Sequence, residues 1–513
     1  MNLPTPDQLA ALDEAALRDM TARLIERITA QSSELKLRGA KLEKLTFELA
    51  RLKRLKFGQQ SERLNSQQPS LFEESVEEDI AAVESELEVL APSESKAKAP
   101  SKPHAGRNVL PADLPRIEER HEPESCTCEA CGGSLHLIGE EITEQLDCEP
   151  LQFFVRRHVR PKLACRSCET VTMEPMPAQI IDKGLPGTGL LAQVAIGKYA
   201  DHLPLYRQEA IFRRSGVELT RATMAGWIGK MGVALTPLVE AMQTDLLQQT
   251  VLHADETPVQ MLDPGAGKTK RAYLWAYRSG PSSEKKAVIF DFCTNRNGEH
   301  PRRFLGEYEG VLMVDDYKGY KALFEKGKVR ELGCWAHVRR KFFELHAAGK
   351  SVVAWEALEW IRKLYEFERE AKGYDPAERF EHRKMKAVPL LKDFKLWLDA
   401  LRLKISEGSG MAKAMDYTLR RWPALIRYLE NEAYPIDNNP LENNIRPIAI
   451  GRKNWLFAGS EPAEKRAAMI MSLIESAKIN GHDPHAYLKD ILTRLPTQPY
   501  SRLHELLPYS WNL

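Results

Sequence analysis

Residues 251–255 read VLHAD and residues 311–316 read VLMVDD. Each begins with a short apolar run of the kind that forms a buried strand, and in each the run leads into an aspartate. Further strands are predicted at 271–278 (RAYLWAYR), 287–293 (AVIFDFC) and 329–334 (VRELGC). Short helices are predicted at 300–308 and 318–326. Three strands in succession are thus followed by two that each return through a helix.

This order favours a ribonuclease-H-like α/β sheet. In that topology the first and fourth strands are neighbours. Asp255 and Asp315 each follow the apolar run of one of these strands, so we expect their carboxylates to lie side by side. The alternative is that both are ordinary strand-end turn residues. Asp316 competes with Asp315 as the second acid, and Glu256 is a weaker competitor of Asp255.

A third acid stands in Tyr434–Ser460, YPIDNNPLENNIRPIAIGRKNWLFAGS. Glu442 is its lone glutamate, surrounded by asparagines, and Asp437 or Asn438 can cap a helix that begins at Pro440. A lone carboxylate in an amide-rich and basic surface suits a metal ligand beside a phosphodiester backbone. Basic and aromatic residues that can bind DNA follow it: Arg446, Arg452, Lys453 and Trp455. Core packing explains Trp455 equally well.

Asp255, Asp315 and Glu442 would repel one another if all three were ionised without a cation. Mg²⁺ (or Mn²⁺) removes this repulsion, because it is a hard ion that prefers oxygen ligands. Two such ions, about 3.5–4 Å apart, activate the attacking oxygen and stabilise the leaving oxygen at a phosphodiester. We therefore predict a metal-dependent site for phosphodiester chemistry.

A second metal site is predicted from the cysteines, because six of the eight lie between Cys126 and Cys168. Two CxxC pairs with a basic strand between them are typical of a zinc ribbon. The predicted Zn²⁺ ligands are Cys128, Cys131, Cys165 and Cys168, with Cys126 as an alternative to Cys128. Arg156 and Arg157 on the intervening strand are candidate DNA contacts, unless the zinc domain is purely structural.

A helix-turn-helix candidate follows the zinc ribbon. Helices are predicted at 189–200 and 205–214, and Thr220 is placed to cap a third helix from Arg221 to Met231. Arg221 and Thr223 would then lie at the N-terminal end of a recognition helix. Helical hairpins that only form core are the alternative.

The N-terminal region predicts a coiled coil. Leucines and isoleucines repeat at heptad spacing between residues 24 and 52, with polar interruptions at Gln31 and Arg38. An amphipathic helix packed on its own domain is the alternative. Residues 73–89 carry eight acids and no Lys or Arg, and this composition, with the Pro- and Lys-rich stretch after it, indicates a linker.

At 513 residues the chain is long enough for about three to four domains. The expected fold is multidomain α/β, with a ribonuclease-H-like catalytic domain that carries a helical insertion. The expected segments are a coiled-coil arm (1–65), a linker (66–118), a zinc ribbon (119–180), a helix-turn-helix-like domain (184–245), the catalytic domain (248–460, insertion 335–433) and a helical tail (461–513).

The net charge is +1, so DNA affinity must come from local basic patches. No apolar run reaches the roughly 20 residues of a membrane span, and the first residues lack the features of an export signal. We expect a bacterial cytoplasmic protein, associated with the nucleoid when bound to DNA, and no membrane contact. Cys334 and His337, spaced CxxH, are expected to serve packing or DNA contact rather than metal binding.

Taken together, the motifs resemble the large transposase of the insertion sequence 66 family, a group of DDE transposases. In chain order they are LKFGQQSERL, the CxxC pairs, LPLYRQEAIFRRSGVELTRATMAGW, HADETPV, VDDYKGY, CWAHVRRKF, IDNNPLENNIRPIAIGRKNWLFAGS and SLIESAKINGHDPHAYL. The family often has glycine after its second aspartate, where this chain has Asp316. The resemblance assigns the catalytic triad to Asp255, Asp315 and Glu442.

The resemblance implies cleavage at the ends of a mobile element and strand transfer into target DNA. It implies double-stranded DNA as the partner, together with accessory proteins encoded by the same element. The coiled coil would supply a homo-oligomer. Two other functions remain open: a DNA-binding regulator without catalysis, and a nuclease on the same fold.

Overall fold

The structure is a computed structural model of the chain. It describes residues 34–53 (without 36 and 40), 77–87, 110–122 (without 111 and 113), 127, 133–149, 152–182, 184–263, 268–325 and 327–512. None of the helices in these residues combines the length and the apolar character needed to cross a bilayer.

The first sheet is built on a long hairpin. Its strands are β1 (Arg116–Arg120), β2 (Leu135–Glu149), β3 (Gln152–Cys165) and β4 (Val171–Met173). β2 and β4 pair antiparallel with β3, and β1 pairs parallel with it. Leu146 of β2 and Val155 of β3 belong to the main hydrophobic core, so the sheet is anchored on the helices that follow.

Three helices connect this sheet to the second one. They are α1 (Thr188–Tyr199), α2 (Leu205–Arg214) and α3 (Arg221–Leu246). The Thr220 side chain caps α3 by accepting from the Thr223 N–H group, as the sequence predicts. The predicted end of this helix at Met231 is wrong. Its apolar face continues through Leu235, Leu238 and Met242, which are fully buried, and keeps α3 helical to Leu246.

The second sheet has the order β7-β6-β5-β8-β9. The strands are β5 (Val251–Asp263), β6 (Lys268–Ser279), β7 (Val288–Cys293), β8 (Gly310–Val314) and β9 (Val329–Gly333). The first three are antiparallel, and β8 and β9 run parallel to β5. Helices α4 (Glu299–Leu305) and α5 (Lys321–Glu325) lie in the last two connections. The first and fourth strands are neighbours, as predicted.

The two faces of this sheet carry separate cores, because successive side chains of a strand point to opposite faces. On β8, Leu312 and Val314 belong to the main core, with α1, α3 and the C-terminal helices. Val311 and Met313 belong to a second core, built with the insertion that follows β9. Strand β8 is therefore buried on both sides, which explains why it reads as a continuous apolar run.

The predicted insertion is mostly helical. Its helices are α6 (Trp335–Gly349), α7 (Val352–Glu370), α8 (Pro376–His382), α9 (Val388–Arg402), α10 (Gly410–Arg420) and α11 (Trp422–Ile426). Arg383, which is buried, fixes the insertion to the segment before Glu442. It pairs with Glu368 and donates to the carbonyls of Tyr428, Asn431 and Tyr434.

Three helices complete the chain: α12 (Asn439–Trp455), α13 (Glu461–Ile479) and α14 (Pro484–Arg494). The predicted helical tail contains α13 and α14, and Gly481 takes a positive φ of 82° between them. Helix α13 covers the edge strand β7. Ser472 and Ser476 accept from the Phe290 and Val288 N–H groups, so these backbone donors are paired although β7 is an edge strand.

The predicted linker is wrong for residues 77–87, which form a buried helix. The acidic composition looked solvated, but two of the acids bind bases far along the chain. Glu78 pairs with Lys198. Asp79 accepts from Arg466 at 2.5 Å and also from the hydroxyl of Ser460. This acidic helix therefore belongs to the folded body.

The predicted coiled coil lies mostly outside the described residues. Within them, residues 41–53 are helical. Leu45, Leu49 and Leu52, which belong to the predicted seam, pack against Ile80 and Val83 of the acidic helix. For this part of the arm, the described contacts are those of an amphipathic helix packed within its own chain, and the coiled coil stays a prediction.

Gly229 of α3 tests the contact with the acidic helix. A Cβ at Gly229 would overlap the Glu78 carbonyl, whereas a Cβ at Gly226 would lie 3.8 Å from the nearest atom, the Cβ of Ala81. Both changes to alanine favour an isolated helix by about 1 kcal/mol. We expect Gly229→Ala to displace the acidic helix, and Gly226→Ala to leave it in place. Limited proteolysis between residues 77 and 87 measures this: equal cleavage rates in the two variants would contradict the contact.

Candidate active site

Asp255 and Asp315 lie just beyond the point where the pairing of two neighbouring strands ends. β5 and β8 are paired in parallel only as far as His253 and Met313. Asp255 and Asp315 each stand two positions beyond that pair. The expectation that β5 ends at Asp255 is wrong, because β5 continues to Asp263 in its long hairpin with β6. Asp255 marks the end of the β8 pairing instead.

The charges of neighbouring acids act on Asp255. Burial raises the pKa of Asp255 to about 8, and the charges of Glu256, Asp315 and Glu442 add to the rise. The Glu256 N–H group donates to Asp255 Oδ1 at 2.8 Å and acts in the opposite direction. Three acids from distant parts of the chain thus share one electrostatic environment.

Asp315 and Asp316 have different partners. Arg421 donates to Asp316 Oδ1 at 3.1 Å, and the same buried guanidinium pairs with Glu331 at 2.8 Å. Asp315 Oδ1 accepts from the Tyr317 N–H group at 2.8 Å. The charge of Asp315 acts on Asp255, whereas that of Asp316 is balanced by Arg421. This geometry favours Asp315 as the second acid.

Glu256, the competitor of Asp255, is also balanced. Arg296 Nε donates to Glu256 Oε1 at 2.6 Å, and the Tyr320 hydroxyl donates to Glu256 Oε2 at 3.3 Å. Burial raises the pKa of Glu256, while Arg296 acts against the rise. The carboxylate of Glu256 thus already has a cation, which favours Asp255 as the metal-binding residue.

Asn438 fixes the helix that carries Glu442 to strand β5. Its Oδ1 accepts from His253 Nδ1 at 2.8 Å, and its Nδ2 donates to the Ala254 carbonyl at 3.2 Å. Its N–H group donates to Cys334 Sγ at 3.2 Å. The Glu442 N–H group closes the first helical turn on the Asn438 carbonyl at 3.0 Å. The sequence suggested Asn438 as a capping side chain, but this amide bonds to β5 instead.

Glu442 points into a pocket of basic side chains. Arg340 on α6 donates to Glu442 Oε2 at 2.9 Å, and His337 Nδ1 lies 3.8 Å from Oε1. Burial lowers the pKa of His337, so its ring is neutral near pH 7. Among the described residues, buried Glu442 Oε1 has no hydrogen-bond partner. One carboxylate oxygen is held by Arg340 and the other is left for a ligand.

Two donor sets include Glu442. In the first, donor atoms of Cys334, His337 and Glu442 lie within 4.8 Å of one another. Cys334 suits packing better than metal, because burial raises the pKa of its thiol to about 12 and its sulfur accepts backbone N–H groups. The second set, Asp255, Asp315 and Glu442, is all oxygen, which is the chemistry that Mg²⁺ and Mn²⁺ prefer, but its donor atoms do not all lie within 4.8 Å of one another in this structure.

The comparison with protein families decides the family. The model "Transposase IS66 family" matches residues 183–466, and "IS66 C-terminal element" matches residues 472–509. "Zinc-finger binding domain of transposase IS66" matches residues 125–169. "Transposase C of IS166 homeodomain" matches residues 44–118.

The chain belongs to the IS66 transposase family. Its relatives include three proteins of Sinorhizobium fredii (strain NBRC 101917 / NGR234), each called "Uncharacterized protein". The one designated y4jD is 36% identical over 91% of this chain and 94% of its own length. The one designated y4qI is 39% identical over 92% and 89%, and y4hP is 34% identical over 91% and 88%.

The predicted zinc ligands of this transposase are only partly described. Cys128 and Cys131, with the alternative Cys126, lie outside the described residues. Thr127 and Ser134, which flank the first CxxC pair, form an antiparallel bridge. Cys165 ends β3 and Cys168 lies in the following turn, which is closed by a bond from Glu169 N–H to the Cys165 carbonyl at 2.9 Å. The second pair thus has the tight turn expected of a zinc knuckle, and the family match supports zinc binding.

The predicted DNA contacts of the transposase lie in different environments. Arg446 and Lys453 are exposed on α12, and Thr223 is exposed at the start of α3, next to the partly buried Arg221. On β3, both arginines are engaged in ion pairs. Arg156 pairs with Glu119, and Arg157 lies 3.6 Å from Glu118.

Two predicted DNA contacts at the end of α12 serve the fold of the transposase. Arg452 donates to the Pro258 carbonyl at 2.6 Å, which fastens the end of α12 to β5. Trp455 is half-buried against the main core, so the packing interpretation of this residue is supported. DNA contact by either residue stays a prediction.

Asn438 and Arg340 belong to the site, although no sequence pattern assigns them to it. Asn438 is fully buried, and its position among three other asparagines gave no sign of which one is. Arg340 lies in CWAHVRRKF, which the sequence placed only at the entrance of the insertion. The CxxH spacing is the sequence signal that could have found this part of the site, because Cys334 and His337 both contact the segment that carries Glu442.

Replacing Asn438 tests how α12 is held. We expect Asn438→Ala to lower the free energy of unfolding by about 1–3 kcal/mol for each buried group left unpaired, and these are His253 Nδ1 and the Ala254 carbonyl. Asn443→Ala is the matched control, because Asn443 is exposed on the same helix, and we expect a change within about 0.5 kcal/mol. Urea unfolding measures both, and equal changes would contradict this role of Asn438.

The raised pKa of Asp255 predicts a pH-dependent effect of Asp255→Asn. The folded protein holds the Asp255 proton up to about pH 8, whereas an unfolded aspartate loses it near about pH 3.9. The stability supplied by this proton is complete below the lower value and is lost as the pH rises through the upper one. Without added Mg²⁺ or Mn²⁺, Asn should therefore stabilise the fold increasingly from pH 5 to pH 8, by about 5 kcal/mol at pH 8.

Urea unfolding at several pH values measures this trend. Asp263→Asn is the matched control, because Asp263 stands at the other end of β5, opposite Lys268. A difference between Asp255→Asn and wild type that stays constant with pH would show that Asp255 is not held protonated.

Proposed function

We propose that this transposase is a DDE-type enzyme that binds the ends of an insertion sequence and catalyses metal-dependent DNA cleavage and strand transfer. The observation that carries the proposal is the placement of Asp255 and Asp315 two positions beyond the last β5–β8 pair, with Glu442 on the helix that Asn438 fastens to β5. Burial and the charges of Glu256, Asp315 and Glu442 raise the pKa of Asp255, and neighbouring acids of this kind are costly for the fold unless a cation binds there.

The sheet supports this proposal. Its order, three antiparallel strands followed by two parallel ones, is that expected of a ribonuclease-H-like domain. In such a domain the two aspartates come from the central strand and its parallel neighbour, and a later helix brings the third acid. β5, β8 and α12 match these three positions.

Asp255, Asp315 and Glu442 would hold the metal, and the unpartnered Glu442 Oε1 fits this role. Bound Mg²⁺ or Mn²⁺ would supply activation of the attacking oxygen and stabilisation of the leaving oxygen at a phosphodiester. Arg340 fixes the second oxygen of Glu442, so that the carboxylate keeps one orientation during the reaction.

The two reactions then use the same acids. In the first, water attacks the phosphodiester at the element end and the P–O3′ bond breaks, which leaves a 3′-hydroxyl on the element strand and a 5′-phosphate on the flanking strand. In the second, that hydroxyl attacks a phosphodiester of target DNA and forms a new P–O bond, while the target P–O3′ bond breaks and a target 3′-hydroxyl leaves. Arg446 and Lys453, exposed on the helix that carries Glu442, would bind the phosphates of the DNA near the cut.

Further DNA contacts and partners complete the proposal. Thr223, with Arg221, would enter a major groove from the start of α3. The homo-oligomer would use the N-terminal arm, whose described leucines already pack on the acidic helix. The coiled coil between residues 24 and 52 therefore stays a prediction. Accessory proteins encoded by the same element would join on DNA.

A nuclease on the same fold and a DNA-binding regulator without catalysis are the competing functions. Product analysis separates the three. A transposase joins element ends to target DNA, a nuclease only cuts, and a regulator binds without any product. If binding occurs without product, repeating the assay with the neighbouring gene products separates a regulator from a transposase that needs them.

The two adjacent aspartates give a sharp test of the catalytic acids. We expect Asp315→Asn to keep less than about 1% of Mg²⁺-dependent cleavage of element ends, since misplacing a reacting group costs roughly 100-fold. Asp316→Asn removes a partner of Arg421. It should lower the stability of the fold, and it should keep much more cleavage activity than Asp315→Asn. Gel analysis of labelled DNA ends measures both. The reverse order of activities would place the second acid at Asp316.

A further inference from the structure

A cluster of possible metal ligands lies on the first sheet, away from the acids of the proposed catalytic site. Donor atoms of Glu119, His121 and His158 lie within 4.8 Å of one another. Glu119 on β1 stands opposite His158 on β3. His121 follows β1 and its N–H group donates to the Val159 carbonyl at 2.9 Å. The backbone therefore brings all three side chains together.

A chain of hydrogen bonds fixes which nitrogen of His158 faces the cluster. Gln145 Nε2 donates to Gln179 Oε1 at 2.8 Å, so Gln145 Oε1 is left to accept from His158 Nε2 at 3.0 Å. The proton of His158 is then on Nε2, and the lone pair of Nδ1 points towards His121 Nε2, 2.9 Å away. Metal-binding histidines are oriented in the same way, through a bond from the other ring nitrogen.

The Glu119 carboxylate is also held in place, and His158 has the protonation state that binds metal. Arg156 takes Glu119 Oε1, while Glu119 Oε2 lies 3.5 Å from His158 Nδ1. Burial, assisted by the charges of His121, Arg156 and Arg160, lowers the pKa of His158 to about 4. The ring is thus neutral near pH 7, which is the form that binds metal.

We propose that Glu119, His121 and His158 bind a Zn²⁺ ion at a site separate from the cysteine knuckles. Two imidazoles and one carboxylate suit zinc, with water in the fourth position. Cys165 stands seven residues further along β3 than His158, which corresponds to roughly 23 Å at about 3.3 Å per residue. One ion cannot serve both places.

The ion would fasten β1 to β3 at the start of the zinc-ribbon segment. On binding, the ion takes the place of the proton between His121 Nε2 and His158 Nδ1, and His121 then carries its proton on Nδ1. Without metal, the same side chains form a plain hydrogen-bond chain. The two possibilities differ in the number of zinc ions that the full chain binds.

Zinc stoichiometry tests the proposal. The full-length protein is stripped with a chelator, dialysed against micromolar Zn²⁺ and analysed by elemental mass spectrometry, with circular dichroism as the check of folding. We expect His121→Ala to bind one zinc fewer than wild type. Glu119→Gln, which keeps the shape of the side chain, should lower zinc affinity at this site by at least about tenfold.

Glu118→Gln is the matched control, because Glu118 is the neighbouring acid of β1 and pairs with Arg157 instead. It should bind as much zinc as wild type. Equal zinc in wild type, His121→Ala and Glu119→Gln would overturn the proposal. If His121→Ala loses its fold and all zinc, the result for Glu119→Gln decides between the two possibilities. An unchanged affinity for every Zn²⁺ ion in Glu119→Gln would show that the cluster is only a hydrogen-bond chain.

Discussion

The buried amide of Asn438 is the contact on which the geometry of the site depends. It bonds to His253 and Ala254 on the central strand and, through its N–H group, to Cys334 at the start of the insertion. Three parts of the chain that are distant in sequence meet at this one residue, the first two through its side chain and the third through its backbone N–H group. One helical turn later stands Glu442, so any movement of Asn438 would carry the third acid away from Asp255.

The site combines a large electrostatic cost with a rigid frame. Burial and neighbouring acids raise the pKa of Asp255, and such a group weakens the folded state whenever it is ionised without a cation. The strand pair β5–β8 holds Asp255 and Asp315 in place, and it is rigid because it lies between two hydrophobic cores. Arg421 and Arg296 balance Asp316 and Glu256, and Arg340 balances Glu442, which leaves Asp255 and Asp315 as the acids of the proposed metal site without a salt bridge among the described residues.

Much of the central sheet could be predicted from the sequence, because apolar runs and strand order are local signals. The position of Asp255 and Asp315 beside each other follows from that order. The partners of these acids could not be predicted in the same way. Nothing in the sequence around Asp316 indicates that Arg421 binds it, and nothing around Glu78 and Asp79 indicates Lys198 and Arg466. Acids that look solvated by composition are buried here because their bases come from distant helices.

The central claim is that three acids form one metal-dependent site for joining DNA. Strand transfer by purified protein on a labelled element end, with Mg²⁺ or with EDTA, tests it most directly when wild type is compared with Glu442→Gln. The account predicts joined product only for wild type with Mg²⁺. Joined product from Glu442→Gln at the wild-type rate, or from wild type in EDTA, would contradict it.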